Sequence, residues 1–204
     1  MKRYATIVAD PPWDVAAGRS IGRYQVEEGR QIFGVVDDAA RPLVYPTMTV
    51  EQIKAMRVAD VTADDAHLYL WTTNGYLPAA FDVMEAWGFK YSTTLVWAKN
   101  VMGGGLGGAY GISTEYCLFG RRGSLKAHGR VGGTWFNWKR PYDERGKPRH
   151  SAKPQGFYAM VEEVSPGPHL EMFARDNRLD WDSWGNECLS VELAVLDGDG
   201  ELDA

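Results

Sequence analysis

The chain has 204 residues, 45% of them apolar and 24% charged, with a formal net charge of −5. This is the size of one compact core with an ordinary globular composition, and the acidic balance excludes nucleic-acid binding through the whole surface. Cys117 and Cys188 are too few and too far apart for a disulfide framework or a zinc site, and neither a leader nor a long apolar run points to secretion or a membrane, so a cytoplasmic protein is expected.

The first element is the apolar, β-branched run Tyr4–Ala9, which reads as a buried strand. It stops at Asp10-Pro11-Pro12-Trp13. The two prolines fix φ near −65° and lead the chain out in extended form, so the carbonyls are not consumed by a helix and remain acceptors beside the Asp10 carboxylate. Two converging acceptors suit a donor with two protons, such as an exocyclic amine. Trp13 then offers a flat face on which a base could stack, worth about 1–3 kcal/mol.

Thr49 is placed to cap a helix over 49–56 that carries Val50, Ile53 and Met56 on one face. Residues 66–72 read as a second strand, with Trp71 as core turned in part toward the site. In the stretch 76–89, Leu77, Phe81, Met84 and Trp87 recur at helical spacing, and Gly88 supplies a stop. Strands are expected over 91–99 and 113–121, a helix from Gln155 to Ser165-Pro166-Gly167, and two last strands over 169–175 and 179–185.

Between the two middle strands, the run from Gly103 to Gly108 matches Gly-x-Gly-x-x-Gly but opens no helix, so it reads as a flexible loop beside the site and not as a dinucleotide cradle. From Leu189 onward five acids and no base form a solvated tail with a short apolar stretch able to dock.

Charge is distributed unevenly. Between Phe119 and Lys153 ten lysines and arginines face two acids, which makes that segment +8 and the remainder −13. Trp135, Phe136, Trp138 and Tyr142 are interleaved with these bases, the composition expected of a nucleic-acid contact, with Lys139 and Arg140 as its centre. The four histidines share no metal-ligand spacing, and no metal is expected.

Strands alternating with helices imply an α/β fold, a mostly parallel sheet with helices on both faces, which binds ligands at the carboxyl ends of its strands. Asp10 lies at such an end. One domain over 1–188 is expected, with 14–44 and 100–150 as substrate-recognition loops.

"ADPPW" resembles the catalytic motif of amino-group methyltransferases. Together with "YPTM", "LYLWTTN", "TEYCLFG", "HSAKP" and "LEMFARDNRLDWDSWGNE", in that order from about residue 5 to 187, it resembles the MT-A70 family. That family includes the catalytic subunit of the messenger-RNA adenosine methyltransferase and bacterial and phage members acting on DNA. The resemblance implies a Rossmann-like methyltransferase sheet of seven strands in permuted order, catalytic motif first and cofactor motif last. It implies S-adenosylmethionine as cofactor and adenine as target, DNA being favoured over RNA. Asp10 and the Pro11 carbonyl would accept from the 6-amino group, with Pro12 completing the motif and Trp13 stacking on or flanking the flipped base. Lys153 would meet the methionine carboxylate of the cofactor, and Asp10 would face it as well. Glu171, Met172 and Phe173 would line it, Arg175 and Asn177 would reach its ribose region, and Asn186 and Glu187 its adenosine part. Tyr45 corresponds to a loop tyrosine of the active site. The same chemistry on RNA or on cytosine N4 remains open, as does a silent partner subunit, although such subunits lose the Asp-Pro-Pro-Trp acceptors. Specificity would come from the two loops, a second copy of the chain or a partner subunit.

Overall fold

The computed structural model describes residues 2–14, 21–27, 30–36, 46–99, 112–146, 149, 152–186 and 188–193, the stretches 21–27 and 30–36 by backbone alone. In chain order the elements are β1 (Tyr4–Ala9), β2 (Ile21–Glu27), β3 (Arg30–Val36), α1 (Val50–Ala55), α2 (Val58–Val61), β4 (Thr62–Thr72), α3 (Leu77–Ala86), β5 (Lys90–Ala98), β6 (Thr114–Arg122), β7 (Trp135–Phe136), α4 (Gln155–Val164), β8 (His169–Met172) and β9 (Trp181–Trp184).

Seven strands form one sheet in the order β7-β5-β6-β4-β1-β8-β9, and β2 with β3 makes a separate antiparallel hairpin. The pairings β1 with β4 and β8, β8 with β9, and β5 with β7 are parallel. Both partners of β6, namely β4 and β5, run against it. The sheet is therefore mixed, with four of its six pairings parallel and the two that involve β6 antiparallel. The cause lies between β5 and β6. A parallel neighbour needs a crossover helix, but the stretch between them carries the glycine-rich run and no helical pattern, and β6 pairs back as an antiparallel strand.

Alternation along the strands divides the core between two faces. Ile7, Ala9, Leu68, Leu70, Leu118, Leu170 and Met172 pack with Ile53 of α1 and with Ala80, Val83 and Met84 of α3. Val8, Tyr69, Trp71 and Cys117 pack with Phe157, Tyr158, Met160 and Val161 of α4 on the other. Helices thus cover both faces. The caps are those the residues demand. Thr49 accepts from the Gln52 amide while the Gln52 side chain accepts from the Thr49 amide, a full capping box, and Gly88 leaves α3 at φ +82°.

The segments 14–44 and 100–150 carry secondary structure: the first contains the β2–β3 hairpin, and the second contains β6, close to the strand expected over 113–121, and β7. Leu193, in the apolar stretch that follows Leu189, is buried in the core at 4% exposure.

Candidate active site

All the parallel strands of the sheet point their carboxyl ends the same way, and β6, running against them, brings its amino end there. Asp10 follows β1 at that end. Pro11 is buried, and the carbonyls of the turn are not idle. The Pro11 carbonyl accepts from the Trp13 amide at 2.8 Å, and the Pro12 carbonyl from the Met48 amide at 2.9 Å, as Trp13 and Met48 form a short bridge. A carbonyl has two lone pairs, so each retains one acceptor site.

Trp13 is 4% exposed. Its indole N–H donates to the Trp71 carbonyl at 3.0 Å, and Tyr76 stacks on it with centroids 5.4 Å apart and planes 25° from parallel. The Tyr76 hydroxyl in turn donates to the Asp14 carbonyl. One ring face of Trp13 is therefore filled by Tyr76, and its position is that of a wall bracing the turn.

A chain of alternating charges runs across the strand ends. The Lys153 ammonium lies 2.6 Å from Asp10 Oδ2 and 3.5 Å from Glu115 Oε2, and sits over the Trp71 ring at 5.0 Å from its centroid. Glu115 also pairs with Lys99. Lys153 precedes Pro154, which caps α4, Glu115 is the second residue of β6, and Lys99 follows β5. Burial works against the Lys153 charge, but Asp10 and Glu115 outweigh it and hold the ammonium above its ordinary range. Burial pushes the Asp10 carboxyl up, Lys153 pulls it back, and the net direction is upward. Glu115 is also pushed up by burial, but its two lysines prevail and it lies below the ordinary carboxylate range.

Asp10, Lys153 and Trp71 line one cavity together with Glu171, Phe173 and Arg175. Tyr158, Asp176 and Arg178 also line it. The Tyr158 hydroxyl donates to Glu171 Oε1. Arg178 lies over the Tyr158 ring at 3.5 Å and donates to Gln155. Arg149 pairs with Asp176 at 2.6 Å, and Pro141 completes that wall.

Other expected residues are placed elsewhere. Met172 points into the opposite face of the sheet with no exposure, because alternation sends it away from its neighbour Glu171. Asn177 does not line the cavity, since its amide accepts from the Leu189 amide and donates to the Leu189 carbonyl, both at 2.9 Å. Asn186 is exposed on the turn after β9, outside the lining. Tyr45 and Glu187 lie outside the described residues, as does the glycine-rich loop. Lys139 is exposed and Arg140 half-buried, next to Pro141 of the wall.

The +8 segment does not form a single patch. Arg121 and Arg122 pair with His67 and Ala66 at the amino end of β4, and His128 bonds Val164 at the end of α4, so the bases up to Arg130 lie at the far end of the sheet from Asp10. Its aromatics divide too. Phe136 and Trp138 stack at 4.2 Å and pack on the core, whereas Trp135 and Tyr142 are exposed.

Glu115, Lys99, Tyr158, Asp176 and Arg178 went unremarked in the sequence. A carboxylate within the otherwise apolar strand "TEYCLFG" is the one signal that could have drawn attention to Glu115. Among the described residues no group of three or more metal-binding side chains occurs, and no helix is long and apolar enough to cross a membrane.

The MT-A70 family model matches residues 4–187. Among curated proteins, the chain is 28% identical to the type II methyltransferase M.MunI of Mycoplasma sp, over 99% of this chain and 84% of that protein. It is 27% identical to a putative N(6)-adenosine-methyltransferase MT-A70-like protein of Medicago truncatula and 25% identical to the human N(6)-adenosine-methyltransferase catalytic subunit METTL3, in each case over 94% of this chain. It spans only 27% and 29% of those two longer proteins. A match running from the first strand past the last places β1, with its Asp-Pro-Pro-Trp ending, and the Lys153 and β8–β9 motifs within a single family pattern, and the chain belongs to the MT-A70 family of methyltransferases.

Proposed function

We propose that this chain uses S-adenosylmethionine to methylate the 6-amino group of adenine in DNA. The observation that carries the reading is the state of Asp10. Its Oδ2 is held by Lys153, while Oδ1 takes no hydrogen bond among the described residues and the side chain keeps 28% exposure at the cavity. That oxygen and the second lone pair of the Pro11 carbonyl are two acceptors, one for each proton of an exocyclic amine.

The cavity wall suits the cofactor. Two buried N–H donors in it, Trp71 Nε1 and Arg178 Nε, have no acceptor among the described residues, which is costly unless a ligand supplies one. Side chains of both signs stand around them, as a zwitterionic amino-acid group joined to a ribose requires: Lys153 for a carboxylate, Glu171 and Asp176 for an ammonium or hydroxyls, and Phe173 for an apolar face. Bound there, the cofactor supplies an electrophilic methyl group on a sulfonium. The chain's own residues supply positioning and charge. Asp10 and Pro11 orient the amine and draw on its protons, which turns the nitrogen lone pair out of the ring, and Lys153 keeps Asp10 in place. A base paired in a duplex cannot reach the turn, so the adenine must be extruded or already single-stranded, at a cost of a few kcal/mol.

The reading of DNA over RNA is supported by the likeness to the type II methyltransferase, at 28% identity against 27% and 25% for the two N(6)-adenosine enzymes. The test is incubation with methyl-labelled S-adenosylmethionine and single- or double-stranded DNA or RNA, followed by identification of the labelled nucleoside. Label in N6-methyladenine from DNA is expected. Asp10→Ala should reduce transfer by about 10²–10³-fold while still binding S-adenosylhomocysteine. Label in RNA alone moves the substrate to RNA, and robust transfer by Asp10→Ala overturns the site.

A further inference from the structure

Residues 188–193 lie beyond the family match, which ends at 187, yet they are stitched to the turn after β8 that lines the cavity and to the turn after β9 that packs against it. We propose that this segment is a strap holding those turns, and that Asn177 is a positioning residue acting through Leu189, without touching the cofactor. The proposal rests on the methyltransferase reading of the same cavity.

Two turns are involved, one after β8 and one after β9. They meet closely, because a Cβ on Gly185 would fall 2.4 Å from the Ala174 carbonyl oxygen and 2.6 Å from its nitrogen. The Ala174 amide also donates to the Trp184 carbonyl at 3.0 Å. Phe173, which lines the cavity, holds φ at +60°, a left-handed conformation unfavourable for a non-glycine residue, so the surroundings must enforce it. Its ring meets Trp184 edge-on at 5.5 Å.

The strap fastens both turns from outside. Asn177, in the first turn, takes both backbone groups of Leu189. Ser190 Oγ accepts from the Gly185 amide at 3.0 Å in the second. The Val191 amide donates to the Ser183 carbonyl at 2.8 Å, and Leu193 anchors the end in the core. The Asn177 amide thus spends a donor and an acceptor on the strap, whereas its chain neighbours Arg175, Asp176 and Arg178 line the cavity. Releasing the clip frees the backbone that aims those three side chains, and cofactor affinity falls although no direct contact has been removed.

A double-mutant cycle separates this from direct ribose contact. Calorimetric binding of S-adenosylhomocysteine is measured for the full chain, Asn177→Ala, Leu189→Pro, which removes the amide donor, and the double variant. Each single change should weaken binding about tenfold, and the double should fall well short of the roughly hundredfold loss that independent effects would give, since Leu189→Pro has already removed one of the two Asn177 bonds. The maximal rate at saturating cofactor should not change. Ser190→Ala is the milder companion should Leu189→Pro lower the thermal midpoint below the assay temperature, and a loss of a few-fold is expected of it. Equal losses from Asn177→Ala in both backgrounds would show direct contact and overturn the proposal, as would no loss in either. If the unaltered chain fails to bind the nucleoside at all, the methyltransferase reading falls with it; if it binds and only the coupling is missing, the strap alone is wrong.

Discussion

Lys153 has two demands on one ammonium. In the structure it neutralises Asp10 and shares Glu115, while the proposed chemistry also wants its charge near the carboxylate of a cofactor. Glu115 and Lys99 reconcile these demands, since a second acid and a second base keep the cluster balanced as contacts change. Replacing a buried partner exposes this dependence, because the group left behind keeps its desolvation without its compensation. Burial already pushes the Asp10 carboxyl upward and Lys153 pulls it down. Lys153→Met removes the downward pull, so the carboxylate is lost at higher pH than in the unaltered chain. An acceptor role needs the ionised form, and activity therefore falls as pH drops through that value. At saturating cofactor, the acid limb of kcat in Lys153→Met should move to higher pH; a limb unmoved or moved to lower pH would show that Lys153 does not set the charge of Asp10. Both residues are legible in the sequence because each sits in a short motif. Glu115 and Lys99 are not, because only the pairing of β5 with β6 brings them to the ends of β1 and α4.

Elements were legible where one local rule decides them. The stop at Gly88 is such a case. It adopts φ +82°, and a Cβ there would meet nothing within 4 Å, so substitution carries a pure backbone cost. Gly88→Ala should lower stability by about 1–2 kcal/mol. The denaturation midpoint should fall with no change in slope. An unchanged midpoint would mean that α3 ends for another reason. Elements decided by tertiary contact were harder. Strand β8 ends at Met172 and not at Arg175, because Phe173 turns left-handed against Trp184, and no propensity scale records a partner that arrives eleven residues later. The short helix α2 and the two-residue strand β7 have too little sequence to carry a period. Asn177 is expected from the resemblance to reach the ribose region, but its amide is claimed by a segment that composition alone marks as tail.

At the scale of the molecule, the direction of β6 decides which bases can serve the site. In sequence the cationic segment is continuous. In space β6 carries its carboxyl end away from Asp10, and α4, whose ten residues span about 15 Å, separates the two halves, with Gln155 at the cavity and Val164 beside His128. Lys126 and Arg130 therefore stand at one end, while Lys139 and Arg140 flank Pro141 at the cavity wall. A polyanion reaching Asp10 passes the second pair and not the first. Lys139→Glu with Arg140→Glu should weaken nucleic-acid binding and flatten the plot of log affinity against log salt by up to about two contacts, roughly 0.7–0.9 in slope for each. Lys126→Glu with Arg130→Glu makes the same change in net charge and should leave that slope unaltered. Fluorescence anisotropy of a labelled oligonucleotide between low and moderate salt measures both. Equal losses from the two double variants would show a diffuse attraction to the whole chain, and the division imposed by the antiparallel strand would have no bearing on binding.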